Sequence, residues 1–475
     1  MAGERLLIRD GCVLTLDPGL GDFDRADVLV EDGRIAAVGP DLDPADAEVL
    51  DAAGKIVMPG FVDTHRHTWQ TALRGICADW TLMDYFRGIR LNASTVLGPE
   101  DMYAGNYVGA LEALDAGVTT VLDFSHCTNT PEHADEAVRG LREAGLRAIF
   151  AYGFYPVPLP EPHFADHDAR LADARRVRER HFAPSGDLLQ MGIALTEIGL
   201  VPFDATRREV EIARELDVLV TAHIGTVPDA HWPREIELLD RSGLLDARQV
   251  HVHCNSCTHD DLRLLADAGA AVSVTPETEM QMGMGFPVTG LARSLGLRVG
   301  LGCDIVSLEA GDVLTQARLA LQMQRALDNH VTTERGRVVE SLSMTAREAL
   351  EVATVGGAAA MGLDSEVGTL APGKQADVIL ISTEGLSFAP RADAVAAVML
   401  HSSARDVDTV VVAGHVVKRD GRLLAVDAKR ARRLAEQSRE RIMSALEQRG
   451  GVLLDLPEGW FDGVRQAVVE NVAGA

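Results

Sequence analysis

Eight strand-length apolar runs recur between Gly60 and Cys303, separated by segments of helical periodicity, and this alternation constrains the fold more than any other feature of the chain. The runs cover residues 60–65, 118–124, 147–152, 188–194, 218–223, 250–253, 270–275 and 298–303. Helical patterns fall between them at residues 99–116, 131–144, 166–180, 206–216 and 260–268. Strands that alternate with helices pair in parallel, because each crossover returns the chain to the same edge. Eight such units predict an α/β fold with a closed (β/α)₈ barrel, a TIM barrel.

Both ends of the chain read differently. Leu6-Leu7-Ile8-Arg9-Asp10-Gly11 and Ala26-Asp27-Val28-Leu29-Val30-Glu31-Asp32-Gly33 are short β-type runs with Asp-Gly turn signals. Matching runs return at residues 377–381 and 409–417. A small β-sandwich domain built from both chain ends is expected, with residues 1–58 and 366–426 flanking a catalytic barrel over 59–365. Residues 427–475 form a C-terminal helical tail: a charged helix at 428–448, then an acidic stretch with Trp460 and Phe461 that carries no functional signal of its own.

Charge and cysteine usage narrow the function. A net charge of -26 repels phosphate backbones and anionic lipid, which argues against nucleic acid and membrane partners and favours a neutral or cationic small-molecule substrate. Six scattered cysteines form no disulfide framework, and no run approaches a membrane span, so a cytoplasmic protein is expected. The start of the chain, with Glu4, Arg5 and Arg9, reads as unprocessed. Lysine occurs only at Lys55, Lys374, Lys418 and Lys429, so the presumed barrel contains none.

Chemistry-bearing residues stand at the ends of the predicted strands, the face where barrel enzymes place their sites. His65 and His67 close the first strand; residues i and i+2 face the same way, so both imidazoles can address one metal. His223, His253 and Asp304 close three others. Three imidazoles and a carboxylate suit zinc, with ferrous iron as the alternative, and leave a place for water. His253 is then free for acid–base work. His251 lies one layer deeper, where a buried structural histidine is the plainer reading, and His126 ends the second strand.

Two longer motifs add a resemblance. Residues 57–67, Val-Met-Pro-Gly-Phe-Val-Asp-Thr-His-Arg-His, and 367–378, Val-Gly-Thr-Leu-Ala-Pro-Gly-Lys-Gln-Ala-Asp-Val, resemble the flanking signatures of the amidohydrolase superfamily. Gln70, Leu73, Arg74 and Gly75, with Gly117-Val118-Thr119-Thr120-Val121, resemble its branch containing atrazine chlorohydrolase, guanine deaminase and S-adenosylhomocysteine deaminase. The resemblance implies one divalent metal held by His65, His67, His223 and Asp304, with a metal-activated water that gives its proton to Asp304 and His253 bonded to the developing tetrahedral centre. Binuclear relatives commonly bridge their metals with a carboxylated lysine, which this barrel lacks; Glu197 is the alternative bridge. A homodimer is implied by the same resemblance.

Two departures bear on the substrate. Where deaminases of the branch carry His-x-x-Glu on the fifth strand, this chain has His223-Ile224-Gly225-Thr226, and threonine does not shuttle protons at neutral pH. Where Pro-x-Ser-Asn often follows the seventh strand, Pro276-Glu277-Thr278-Glu279 stands instead. Glu279, and secondarily Glu277, either replaces the missing acid, pairs with a cationic substrate group, or is an ordinary loop carboxylate. Met282 and Met284 read as an apolar pocket wall or as plain packing, and Trp69 as a flat wall or a core aromatic. Gln70, Trp69, Thr226, Glu277 and Met282 are the expected substrate contacts, with Asp304, His253 and Glu279 as the catalytic groups. Removal of an amino or imino group from a nitrogen heterocycle is the leading activity; loss of chloride, alkylamine or a cyclic amide is the alternative, and a non-catalytic scaffold the third. Cys254-x-x-Cys257 lacks a second pair, and no cytidine-deaminase, zincin or dinucleotide signature occurs.

Overall fold

The protein, described here by a computed structural model over residues 5–182 and 187–474, is a closed eight-stranded parallel barrel joined to a nine-stranded mixed sheet. Residues 1–4, part of the expected N-terminal sheet segment and of the unprocessed start, lie outside the described residues. Among the described residues, no helix is long and apolar enough to cross a membrane.

The barrel strands are Phe61–Arg66, Val118–Ser125, Arg147–Gly153, Leu189–Ala194, Leu219–Ile224, Gln249–His253, Ala271–Val274 and Arg298–Leu301. Strand eight closes on strand one through Leu301 and Asp63. Every residue of strand two is buried, as expected of a parallel sheet covered on both faces. Between the two histidines of strand one, Arg66 turns the other way and is also buried, its Nη2 donating to the Gly311 carbonyl at 2.6 Å.

The outer sheet runs in the order Arg422–Leu423, His415–Arg419, Val407–Val412, Val378–Ser382, Lys55–Pro59, Arg5–Val13, Phe23–Glu31, Arg34–Gly39, with Glu48–Asp51 beside Arg5–Val13. Both chain ends thus share one continuous sheet, locked where Lys55–Pro59 pairs antiparallel with Val378–Ser382. Its own apolar core includes Ile8, Val28, Val57, Leu370 and Val378. Only Gly60 separates this sheet from the barrel; a side chain there would drive into Thr119, its Cβ within 2.3 Å of both branches.

Two turn readings change. Asp32-Gly33 makes the expected two-residue hairpin, but Asp10-Gly11 is a bulge inside a continuing strand, with Asp10 at φ +66°. A Cβ at Gly11 would lie 2.4 Å from Val57, so close packing explains this glycine. The run 409–417 is a hairpin rather than one strand, because Ala413 and Gly414 at φ +47° and +82° reverse the chain. The C-terminal tail contains the helices Ala428–Gln448 and Trp460–Asn471.

Candidate metal centre and substrate cavity

Hydrogen bonds between barrel strands set the position of each candidate side chain. His67 N–H donates to the Asp304 carbonyl at 2.8 Å, and Asp304 N–H donates to the His65 carbonyl at 2.9 Å, so strands one and eight hold each other's ends in register. Asp304 and His253 both adopt the left-handed region, φ +53° and +74°. Such strain in non-glycine residues persists only where the surroundings enforce it. A side chain at Gly302 would press on the His65 backbone, with Cβ 2.6 Å from its carbonyl oxygen.

Four donors converge at the barrel mouth. His65 Nε2 and His67 Nε2 lie 3.2 and 3.4 Å from Asp304 Oδ1, and His223 Nε2 lies 3.3 Å from His67 Nε2. Nitrogen and oxygen ligands on a tetrahedral ion at about 2.0–2.1 Å stand about 3.3–3.4 Å from one another, so the spacing fits a four-coordinate divalent metal. The outer ring nitrogens are anchored: His67 Nδ1 lies 2.9 Å from the Phe124 carbonyl and His223 Nδ1 lies 3.4 Å from Glu197 Oε1. Such partners fix the tautomer and turn Nε2 toward an ion.

The electrostatics agree. Burial lowers the pKa values of His65 and His67 and brings His223 to about 4, which keeps the imidazoles neutral and able to coordinate. Burial alone would raise the Asp304 carboxyl, but the hydrogen bond of His65, with the neighbouring histidines, outweighs it and brings the carboxyl down to about 2. Asp304 is therefore ionised. His253 completes a second possible ligand group with His65 and Asp304; its Nδ1 lies 3.0 Å from Thr275 Oγ1.

A small cavity of about 40 Å³ opens beside the cluster, walled by His67, His126, His223, His253, Asp304 and Thr226, with Tyr85, Phe86, Met282 and Met284 among its other walls. Of the expected substrate contacts, Thr226 and Met282 line this cavity. The three others do not. Trp69 is fully buried in the core, Gln70 is spent on Tyr85 and Ser307, its amide donating to the phenol oxygen at 2.7 Å, and neither walls the cavity. Glu277 turns toward Gln316, whose amide donates to it at 3.1 Å. Glu279 is carried on a short helix, Pro276–Gln281, not on a loop, and faces away from the cavity. Its Oε1 accepts the Thr275 N–H at 2.8 Å and lies 3.4 Å from His253 Nδ1. His251, with Nε2 3.2 Å from Gln249, is the deeper structural histidine.

Sequence reasoning named Glu197 only as an alternative metal bridge and missed its partner at the wall, Arg90. Arg90, fully buried on the π-helical turn Phe86–Arg90, donates both guanidinium nitrogens to Glu197, at 2.5 and 3.2 Å, and lies 4.1 Å above the Tyr155 ring. Burial opposes the charge on Glu197, but Arg90, His126 and His223 outweigh it and hold the carboxyl well below its ordinary range. Glu197 also forms a metal-capable group with His126 and His223. Its place just beyond the fourth barrel strand was a usable signal; Arg90 offered none.

The profile of the amidohydrolase family matches residues 56–417. A 5-methylthioadenosine/S-adenosylhomocysteine deaminase of Symbiobacterium thermophilum is 31% identical over 432 residues, covering 88% of this chain and 94% of that protein. A 5'-deoxyadenosine deaminase of Methanothermobacter thermautotrophicus is 28% identical over 425 residues, with the same shares. Among solved structures, an adenosine deaminase from Xanthomonas campestris with bound zinc superposes with a TM-score of 0.81 at 24% identity, covering 92% of this chain and 98% of that one. An atrazine chlorohydrolase from Arthrobacter aurescens complexed with zinc gives 0.80 at 21%, covering 91% and 100%.

Proposed function

The chain belongs to the amidohydrolase family, and from that premise we propose that it is a zinc-dependent aminohydrolase that replaces the exocyclic amino group of an adenine nucleoside with oxygen from water and releases ammonia. The observation that carries this reading is the convergence of His65, His67, His223 and Asp304 at tetrahedral spacing beside a cavity, in a chain whose relatives include deaminases of adenosine derivatives. One zinc held by these four side chains would supply Lewis acidity and lower the pKa of water to about 7.

The protein's own groups do the rest. Asp304, ionised at neutral pH, accepts the proton of the attacking water at a carboxylate oxygen and returns it to the departing nitrogen. His253 would hydrogen-bond the incoming oxygen at the developing tetrahedral carbon, while the electron pair pushed onto the ring nitrogen returns as ammonia departs. Glu197, held ionised by Arg90, accepts a hydrogen bond from a substrate N–H and does not supply protons. Thr226 at the wall favours one alternative: a leaving group that departs without ring protonation, such as chloride or alkylamine.

Both readings meet one experiment. Purified protein loaded with one equivalent of zinc is assayed for ammonia release from adenine nucleosides and aminated pyrimidines, pterins and triazines, and for chloride release from chlorotriazines. Ammonia from adenine nucleosides is expected. Chloride release alone, or no ammonia from any adenine nucleoside, would overturn the assignment.

A further inference from the structure

A second cavity, of about 310 Å³, lies against the first. Phe86, Glu197, His223 and Thr226 wall both, so the larger chamber adjoins the candidate metal centre. Tyr155 and Trp232 continue its wall from the barrel loops, and Trp460, Phe461 and Val464 of the C-terminal helix form the opposite side. The tail that offers no signal in the sequence therefore ends over the substrate cavity.

This helix is fastened in place at several points. Arg465 pairs with Asp229 at 3.2 Å, Asn471 donates to the Gly199 carbonyl at 2.9 Å, and Phe461 stacks parallel to Trp232. Gly199, at φ +92°, gives Val468 room: a Cβ there would lie 2.6 Å from it. Upstream, Arg87 donates twice to the Leu454 carbonyl, at 2.9 and 2.6 Å, and Asn92 to those of Gly451 and Val452. Among the described residues, no arginine or lysine lines the chamber; its ionisable side chains are Glu197, Glu235, His223 and Tyr155. Glu197 is committed to Arg90, and Glu235 to the Gly225 N–H at 2.7 Å. An anionic group entering here would lose its water and meet two carboxyls without a counter-charge.

We propose that this chamber is the subsite for an uncharged apolar substituent of the substrate, of thioalkyl to aryl size, and that the C-terminal helix selects for it. The proposal rests on the aminohydrolase reading in one respect: the substituent hangs from the nucleoside whose ring is attacked at the metal centre. Area removed from water rewards an apolar group here, and a phosphate is refused.

Zinc-loaded full-length protein is tested in two arms. In the first, kcat/KM is measured for adenosine, 5'-methylthioadenosine, 5'-phenylthio-5'-deoxyadenosine and adenosine 5'-monophosphate. A rise of about tenfold or more from adenosine to the phenylthio compound is expected, with the monophosphate slowest. Val464→Trp, which fills the chamber, should compress that rise to less than about threefold, and Trp460→Ala, which removes wall instead, should lower the phenylthio value about tenfold. Val469→Ser, on the exposed side of the same helix, should keep the rise. A series indifferent to the substituent, or led by the monophosphate, overturns the proposal. In the second arm, the uncharged dye N-phenyl-1-naphthylamine is titrated by fluorescence. Saturable binding of one dye per chain, weakened about tenfold by Val464→Trp, supports the subsite; no saturable binding, or binding indifferent to that substitution, overturns it. Should no adenosine be turned over, the aminohydrolase reading falls and the dye arm alone decides the chamber.

Discussion

His253 takes its orientation from two neighbours, Thr275 Oγ1 at 3.0 Å and Glu279 Oε1 at 3.4 Å, both on the side of its Nδ1. Glu279 is buried and does not itself line the cavity, so its effect on chemistry passes through the imidazole of His253, which does. Substituting His253→Gln should cost about 10² to 10³ in kcat with zinc content preserved, the usual loss for an oxyanion-type donor. Glu279→Gln should lower kcat about 10- to 100-fold, as expected when a supporting partner of a catalytic histidine is weakened, with KM and zinc content within about twofold of wild type. Steady-state kinetics and metal analysis of both variants check this. A Glu279→Gln protein whose main defect is a raised KM would return this carboxyl to the role of cation partner suggested by its position in the sequence.

The helix Phe203–Leu216 is tied to the end of barrel strand four by Glu209, whose carboxyl accepts the Thr196 N–H and hydroxyl, both at 2.8 Å. The neighbouring residue is Glu197, so this contact also steadies the cavity wall. Burial raises the Glu209 carboxyl to about 8. The native fold therefore keeps a proton that the unfolded chain releases near pH 4.5, and the stability drawn from this site is complete below about pH 4.5 and is lost as pH rises through about 8. Glu209→Gln imitates the protonated form at every pH. Its stability should match that of wild type near pH 5 and exceed it at pH 9 by an amount on the order of a few kcal/mol, read as a higher Tm at pH 9 alone. Thermal melts of zinc-loaded protein at the two pH values provide the measurement, and an equal difference at both would refute the assigned protonation.

Across the whole molecule, the candidate metal-ligand cluster is a small part of a large framework. Much of the barrel, its helices and the C-terminal Ala428–Gln448 share one apolar core, Val62, Leu122, Phe124, Ile149 and Val250 of the barrel strands belong to a second, and the outer sheet has its own. Removing zinc with a chelator should therefore abolish turnover while leaving the far-ultraviolet dichroism intact. Restoring zinc to about 100 times its dissociation constant should add about 2.7 kcal/mol of stability, read as a rise in Tm. Metal analysis should find one equivalent per chain; a second tightly held equivalent would defeat the single-metal reading and direct attention to His126, Glu197 and His223.

The amino-acid sequence by itself determined the eight barrel strands, the shared sheet of the two chain ends, and the residues His65, His67, His223 and Asp304 that meet at the mouth. These are legible because strand periodicity is local and because closing a parallel barrel brings all strand ends to one face. Tertiary structure alone decided where side chains beyond the strands point. Trp69 turned into the core, Glu279 turned toward His253 because its helix begins at Pro276, and Arg90 met Glu197 across 107 residues of sequence. The C-terminal helix came to roof the second cavity through contacts with Asp229 and Gly199 that no periodicity announces. Local patterning fixes which face of an element is apolar, whereas the partner met by a loop or tail depends on the packing of segments hundreds of residues apart.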